Sequence, residues 1–537
     1  MSDSASRQID VAIIGAGFAG LYMLHKCRGL GLSAHVWEAG SGVGGTWFWN
    51  RYPGARCDAE SLQYSYSFVP EIEQEWRWTE RYATQPEILA YIEHVADRLD
   101  LKRDVTCNTK VTAARYDDAA GLWRVSTDKG EEVTARFVIG ATGALSAARI
   151  PEFKGLESYT GETYHTGTWP HHKVDFAGKR VGIIGTGSSG VQLIPMLAEE
   201  AAHLHVFQRT PAYSIPAHNR PLDDAYVQRW NSNAAEFRRK AREETRNGML
   251  YETTTKSALE VSAEERQREY ERRWAIGGGQ FLYAYADLLV NPAANETAAD
   301  FARAQIRSIV TDPKVAALLT PTDYGIGTKR PCVDTDYFAT FNRPNVTLVD
   351  VNAAPIAEIT ETGIRLEDGS TYELDAIVFA TGFDALTGPM LAIDVTGRSG
   401  LSLREKWAEG PRAYLGLMSN GFPNLFTVTG PGSPSVLGNV VVSIEQHVDL
   451  IGTILAHMQK AGLTWIEPEK AAEDAWVQRV NEIAAKTLMT KAKSWYMGAN
   501  IPGKPRVFLA YAGGVDNYRK ECDAMVADGF RGFSFAA

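Results

Sequence analysis

Val181-Gly-Ile-Ile-Gly185-Thr186-Gly187-Ser188-Ser189-Gly190-Val191-Gln-Leu-Ile-Pro-Met-Leu197 decides the fold. Val181 to Ile184 is a continuous apolar run of strand length, and Val191 to Leu197 has the pattern of a buried helix. Between them lies a glycine-rich phosphate loop. Gly185 permits the tight turn, Gly187 lets the backbone approach a pyrophosphate, and Gly190 lets helix and strand pack closely. The helix N-terminus directs free N–H groups and a partial positive charge at the phosphates. The next strand, His203 to Phe207, runs into Gln208-Arg209-Thr210, where an NAD site carries an acid. A guanidinium there pairs with a 2′-phosphate, so Arg209 predicts NADP.

A second loop of this kind lies near the N-terminus. Ile9 to Ile14 is an apolar strand, Gly15-Ala-Gly17-Phe-Ala-Gly20 follows, and Leu21 to Arg28 reads as a helix with Leu21, Leu24 and Cys27 on one face. The next strand ends in Glu38, at the distance where a carboxylate accepts both ribose hydroxyls. That site suits a dinucleotide without a 2′-phosphate, such as FAD. Two loops mean two dinucleotides, hence an α/β fold with two Rossmann-like domains. Strands ending in Ala141-Thr-Gly143 and Ala380-Thr-Gly382 bracket the NADP loop, which makes the FAD domain discontinuous. The predicted division is a first FAD-binding part over 1–145, NADP-binding parts over 146–220 and 326–380, a helical insertion over 221–325, and a second FAD-binding part over 381–537. Within the insertion, Glu264 to Arg273 reads as a solvated helical face. A small β-region is expected over Asn108 to Val125, and a helix from Val440 to Leu455.

The 537 residues suffice for about three domain-sized units. Apolar residues make up 45% and charged residues 22%, as in a soluble globular protein. A net charge of −10 argues against nucleic acid as a partner. The five cysteines, Cys27, Cys57, Cys107, Cys332 and Cys522, show no CxxC spacing, and the histidines no ligand spacing, so neither a disulfide framework nor a metal site is expected. Met1 to Gln8 lacks the apolar core of a leader, and no run of about eighteen apolar residues occurs. A soluble, cytoplasmic protein with no membrane or obligate protein partner is expected.

Four further stretches carry a family likeness: Gly44-Gly45-Thr46-Trp47 through Arg56-Cys-Asp58; Tyr159-Thr-Gly161-Glu-Thr-Tyr-His165-Thr-Gly-Thr-Trp169-Pro170; Lys329-Arg330-Pro331; and Ser494-Trp495 through Asn500. They resemble the type I Baeyer–Villiger monooxygenases, from about residue 8 to the end. The second stretch is similar to the family's fingerprint, with Tyr159 where the family has phenylalanine. The resemblance implies that Gly44, Gly45, Thr46, Trp47 and Tyr64 surround the flavin and that Val111 offers a backbone contact to the adenine. It implies that Lys329 joins Arg209 and Thr210 on the 2′-phosphate, and that Trp495 closes over the nicotinamide side. It makes Arg330 the catalytic cation and Asp58 its acidic partner. His165 and Trp169 couple the domains, while Ala144, Ser435, Val436 and Leu437 shape the substrate pocket.

The activity so implied uses NADPH and dioxygen to insert one oxygen beside a ketone carbonyl, through a flavin C4a-peroxide, giving an ester or lactone. A fixed cation stabilises both the anionic peroxide and the tetrahedral adduct, and arginine cannot lose its charge. Similarity to members acting on phenylacetone and steroids favours aryl, linear or bulky cyclic ketones, with sulfoxidation as a second activity. One alternative is a flavin-containing or N-hydroxylating monooxygenase, against which Trp169, Arg330 and Asp58 together speak. Another is a non-catalytic redox sensor that binds FAD and NADP without turnover. A disulfide reductase needs a cysteine pair, and Cys57 stands alone.

Overall fold

Each phosphate loop follows a strand that has a parallel neighbour on both sides. The computed structural model describes residues 7–537. Met1 to Ser6, most of the stretch screened for a leader, lies outside the described residues. In the first sheet, β1 (Arg7–Ile14) runs parallel to β2 (Ala34–Trp37) on one side and β6 (Glu132–Gly140) on the other. β3 (Val105–Thr106) extends the sheet beyond β2, and β4 (Val111–Asp117) and β5 (Leu122–Thr127) form an antiparallel ladder ending on β6. Val11, Ala12 and Ile13 are all fully buried. They can be apolar in succession because both faces of the sheet are covered. One face packs under the helices Phe18–Gly29 and Val440–Ala461; the other packs against Trp123, Met390, Trp407 and Phe422.

The chain then builds a second sheet. β7 (Glu162–His165), β8 (Arg180–Ile184) and β9 (His203–Gln208) precede the short parallel pair β10 (Ser214–Pro216) and β11 (Cys332–Asp334). β12 (Val346–Asp350) follows, then an antiparallel trio of β13 (Ile356–Thr360), β14 (Gly363–Leu366) and β15 (Thr371–Glu373). β16 (Ala376–Phe379) inserts between β8 and β7, completing the order β12-β9-β8-β16-β7 with every pairing parallel. β17 (Asp394–Thr396) and β18 (Leu425–Thr427) then rejoin the first sheet against β4 and β6. Two Rossmann-like sheets, the first interrupted by the second, are the architecture expected from the two loops.

Four helices, Asp224–Glu243, Ala263–Ile276, Pro292–Ile309 and Pro313–Leu319, occupy the charged stretch, each started by a side-chain cap from Asp223, Ser262, Asn291 or Asp312. The insertion does not belong to the second sheet alone. Arg238 of its first helix is buried against Glu73 Oε1 at 2.8 Å and the carbonyls of Gln63 and Ser65, all in the first-sheet region. Ile306, Val310 and Leu319 pack into the second-sheet core. The Glu264–Arg273 run is not wholly solvated either. Arg273 is 1% exposed, and it is tolerated there because Glu269 Oε1, one turn earlier, accepts at 2.7 Å and the Glu252 carbonyl at 2.6 Å. Thr46–Trp49 forms a helical turn, and the helix expected to end at Leu455 runs on to Ala461.

Candidate active site

The two phosphate loops are built alike. Gly15 has φ +103°, and a Cβ there would stand 2.7 Å from the Ala141 carbonyl oxygen. Gly185 has φ +112°, and a Cβ would collide with the Ala380 carbonyl. Each Ala-Thr-Gly turn thus lies against the first glycine of its own loop, and no L-residue with a side chain fits either place. Gly20 and Gly190 are pressed against the carbonyls of Gly15 and Gly185. The helices that follow have Gly17 and Gly187 at their N-caps, without side-chain caps, so their leading N–H groups are left for a ligand. A Cβ on Gly187 would meet nothing within 4 Å, leaving open space above the loop.

Around the first loop, Gly44 donates its N–H to the Ala16 carbonyl at 2.9 Å, and Gly45 packs on Gly17. Thr46 opens the short helix that carries Trp47, whose indole N–H donates to the Tyr64 hydroxyl at 3.2 Å. Glu38, 5% exposed, accepts the N–H groups of Ala16 and Gly40, each at 2.7 Å. Those two bonds fix the carboxylate and leave it further acceptor capacity. Val111 opens β4, opposite Thr127. This cradle fits FAD.

On the second loop, the Thr186 hydroxyl donates to the Thr210 carbonyl at 2.9 Å, binding the turn with exposed Arg209 to the phosphate loop. Ser189 lies in the first helical turn, and the Ser188 hydroxyl stands 3.6 Å from Cys332 Sγ. The Lys329 ammonium lies 4.1 Å from the centre of the Tyr324 ring, and the Tyr324 hydroxyl donates to the Pro211 carbonyl at 2.8 Å. Lys329 therefore sits beside the Arg209–Pro211 turn. Burial lowers its pKa, and the neighbouring charges of Arg209 and Lys493 add to that effect. An open N–H cradle flanked by cations fits NADP.

The two cradles meet at Arg330. Arg330 stands two residues before β11, whose first residue, Cys332, pairs with Ser214 of β10. From there Arg330 donates Nε to Asp58 Oδ2 at 2.6 Å, Nη2 to Asp58 Oδ1 at 2.8 Å, and Nη1 to the Val436 carbonyl at 2.6 Å. The two side chains are 28% and 27% exposed, so the pair is fixed yet reachable. Burial would raise the Asp58 pKa, but the guanidinium charge and its hydrogen bonds prevail and hold it below the usual carboxylate range. The Asp58 charge in turn raises Arg330 further, so the cation persists at any working pH.

Ala144, Val436, Leu437 and Trp495 share one apolar cluster with Tyr496, Phe508, Ala510 and Ala512. Three of the four residues expected in the pocket are thereby brought together with Trp495. Ser435 is fully buried with φ +41°, and its hydroxyl has no partner among the described residues. Sequence reasoning missed Tyr496, 3% exposed beside Arg330, whose phenol is pushed up to about 12, chiefly by burial. It also missed the Val436 carbonyl as the third ligand of Arg330. His165 lies apart from Arg330's partners; its Nδ1 accepts the Gly167 N–H at 3.0 Å and its Nε2 lies 3.2 Å from the Arg149 carbonyl. Trp169 packs on Tyr164 and Phe176. Among the described residues, no group of three His, Cys, Asp or Glu side chains could hold a metal, and no helix is long and apolar enough to cross a membrane.

Residues 12–267 match the pyridine nucleotide-disulphide oxidoreductase family. A Baeyer–Villiger monooxygenase from Pseudooceanicola batsensis is 46% identical over 97% of this chain and 95% of its own length. A phenazine N-monooxygenase from Lysobacter antibioticus is 42% identical, with 99% and 98% covered. The solved structure of an oxidized steroid monooxygenase bound to NADP is 52% identical, covers 98% of this chain and 99% of its own, and superposes with a TM-score of 0.94. With identity at this level along essentially its whole length, and with two dinucleotide cradles meeting at one fixed arginine, the chain belongs to the Baeyer–Villiger monooxygenases.

Proposed function

We propose that this protein converts a ketone to an ester or lactone, consuming NADPH and dioxygen and releasing NADP+ and water. The observation that carries the reading is the Arg330 fork on Asp58, locked by the Val436 carbonyl beside an apolar wall. FAD, when bound, supplies hydride acceptance from NADPH and activation of dioxygen. Gly15, Gly17, Gly20, Glu38, Gly44, Gly45, Thr46, Trp47, Asp58, Tyr64 and Val111 would hold it. The loop Gly185-Thr186-Gly187-Ser188-Ser189-Gly190 would hold the NADP pyrophosphate, and Arg209, Thr210 and Lys329 its 2′-phosphate. The division into FAD-binding, NADP-binding and inserted helical parts at the boundaries given above belongs to the same proposal.

Arg330 presents a charge that no accessible pH removes, directed at oxygen that becomes anionic as the ketone is attacked. Asp58 orients that charge and tempers it, and the Val436 carbonyl fixes the third nitrogen. Trp495 covers the nicotinamide side and, with Ala144, Ser435, Val436 and Leu437, keeps water from the reacting carbonyl. The family likeness favours aryl, linear or bulky cyclic ketones as substrates. Ketone and dioxygen are the partners, with no nucleic acid or membrane, in the cytoplasm.

Steady-state NADPH oxidation by the FAD-loaded protein, with and without a ketone panel and with product analysis by gas chromatography, tests the reading. Ketone-stimulated consumption with matching ester supports it; stimulation with no ester refutes it. Sulfoxidation is proposed as a second activity, which a sulfide panel checks, with an amine panel alongside because one relative is a phenazine N-monooxygenase.

A further inference from the structure

One face of a single helix reaches both chain segments that carry the Arg330–Asp58 pair. The helix Ser188–Glu200 starts on the second phosphate loop, and Ser188 and Gln192, four residues apart, lie on the same side of it. Ser188 Oγ stands 3.6 Å from Sγ of Cys332, which is two residues after Arg330. One turn further on, the Gln192 amide crosses to the first-sheet region. Its Nε2 donates at 3.0 Å to the carbonyl of Arg56, two residues before Asp58, and its Oε1 accepts from the Tyr52 hydroxyl at 2.8 Å. The backbones close up at the same place. Gly54 has φ +81°, and a Cβ on it would lie 2.6 Å from the Gln192 carbonyl oxygen. Further bonds tie this turn to its own region, from the Cys57 N–H to the Ala83 carbonyl at 3.2 Å and from the Gln85 N–H to the Ala55 carbonyl at 2.8 Å.

We propose that Gln192 is a positioning residue for oxygen insertion: by fixing the Arg56 carbonyl and the Tyr52 hydroxyl it sets where the Asp58 carboxylate stands, and so how the Arg330 guanidinium is presented. Asp58 and Arg330 come from different regions of the fold. The fork between them, at 2.6 and 2.8 Å, keeps its geometry only while the two backbones keep their spacing. Two residues of chain span at most about 7 Å, so an anchor at residue 56 confines residue 58, and one at residue 332 confines residue 330. Both anchors stand on one helix, a single turn apart. A glutamine suits the place because its amide donates and accepts at once, which satisfies a carbonyl and a hydroxyl together. Gln192 bonds to neither member of the pair, so its effect passes through the turn. The stabilisation that a cation gives to a developing oxyanion depends on its being held in place beforehand. The inference rests on the reading of Arg330 as the cation for oxygen insertion.

The test compares FAD-loaded Gln192→Met and Gln192→Glu with the wild type and with Arg330→Ala. Methionine fills similar space without either bond, and glutamate keeps the acceptor for Tyr52 while removing the donor to the Arg56 carbonyl. With a ketone that the wild type converts, ester formed per NADPH consumed should fall about fivefold in both variants, the scale of one lost hydrogen bond, and hydrogen peroxide should make up the balance. Flavin absorbance, the Michaelis constant for NADPH and the rate of anaerobic flavin reduction should stay within about twofold of the wild type. If either variant loses its flavin, Tyr52→Phe, which removes one of the two bonds from the other side, carries the same comparison, with a smaller fall in the same direction. If Arg330→Ala loses ester while the Gln192 variants keep the wild-type yield, the inference is overturned. A higher Michaelis constant for NADPH or a slower reduction, matching the loss of ester, would make Gln192 a cofactor contact and overturn it as well. If Arg330→Ala itself keeps the wild-type yield, the reading of the pair falls, and the inference with it.

Discussion

Replacing Arg330 with alanine separates the oxidative half of the reaction from the reductive half. A guanidinium about 4 Å from a developing oxygen anion contributes about 4 kcal/mol at an effective dielectric of about 20. Asp58, bonded to the same guanidinium at 2.6 and 2.8 Å, opposes part of that field, and the pair is about a quarter exposed. Halving the figure to allow for both leaves about 2 kcal/mol, or a loss of about 30-fold in ester formation. Nothing in the geometry ties Arg330 to hydride transfer. Stopped-flow reduction of the bound flavin by NADPH without oxygen should therefore proceed within a few-fold of the wild-type rate. Aerobic assays should show NADPH still consumed, with hydrogen peroxide replacing ester. Near-normal ester yield in Arg330→Ala would refute the reasoning.

Other substitutions probe the remaining parts. Arg209→Ala should raise the Michaelis constant for NADPH about tenfold and that for NADH little; an unchanged ratio removes Arg209 from its role. Gly20→Ala would drive a Cβ into the Gly15 carbonyl, and the purified protein should be colourless, without the flavin absorbance of the wild type. Because the folded Asp58 pKa lies below its unfolded value, the stability its carboxylate contributes is present above about pH 4 and lost only as pH falls through the lower folded value. The pH profile of kcat/KM should accordingly show no acid limb from Asp58 between about pH 5 and 8. Asp58→Asn, measured over the same range, should lower kcat without moving the profile.

Much of this architecture is legible in the chain because local chemistry dictates it. An apolar strand, a glycine turn with positive φ and a helix starting on uncapped N–H groups are contiguous, so both cradles can be read from a dozen residues each. The site is a different matter. Asp58, Arg330 and Val436 come from three distant segments, and only the family likeness linked the first two. The third contact is made by a backbone carbonyl, which leaves no trace in side-chain pattern. Tyr496 carries no signal of its own in the sequence, because an aromatic next to a tryptophan reads as packing. The insertion misled in a related way. Arg238 and Arg273 look like solvent-facing charges, and only their partners, Glu73 and Glu269, explain their burial.

The most direct test of the central claim is the fate of dioxygen. Wild-type protein loaded with FAD is supplied with NADPH, oxygen-18 gas and a panel of aryl, linear and cyclic ketones, and the products are examined by mass spectrometry. The account predicts an ester or lactone carrying a single heavy oxygen, in the new ether position. Heavy oxygen found only in hydrogen peroxide and water across the panel, with every ketone recovered unchanged, would contradict it.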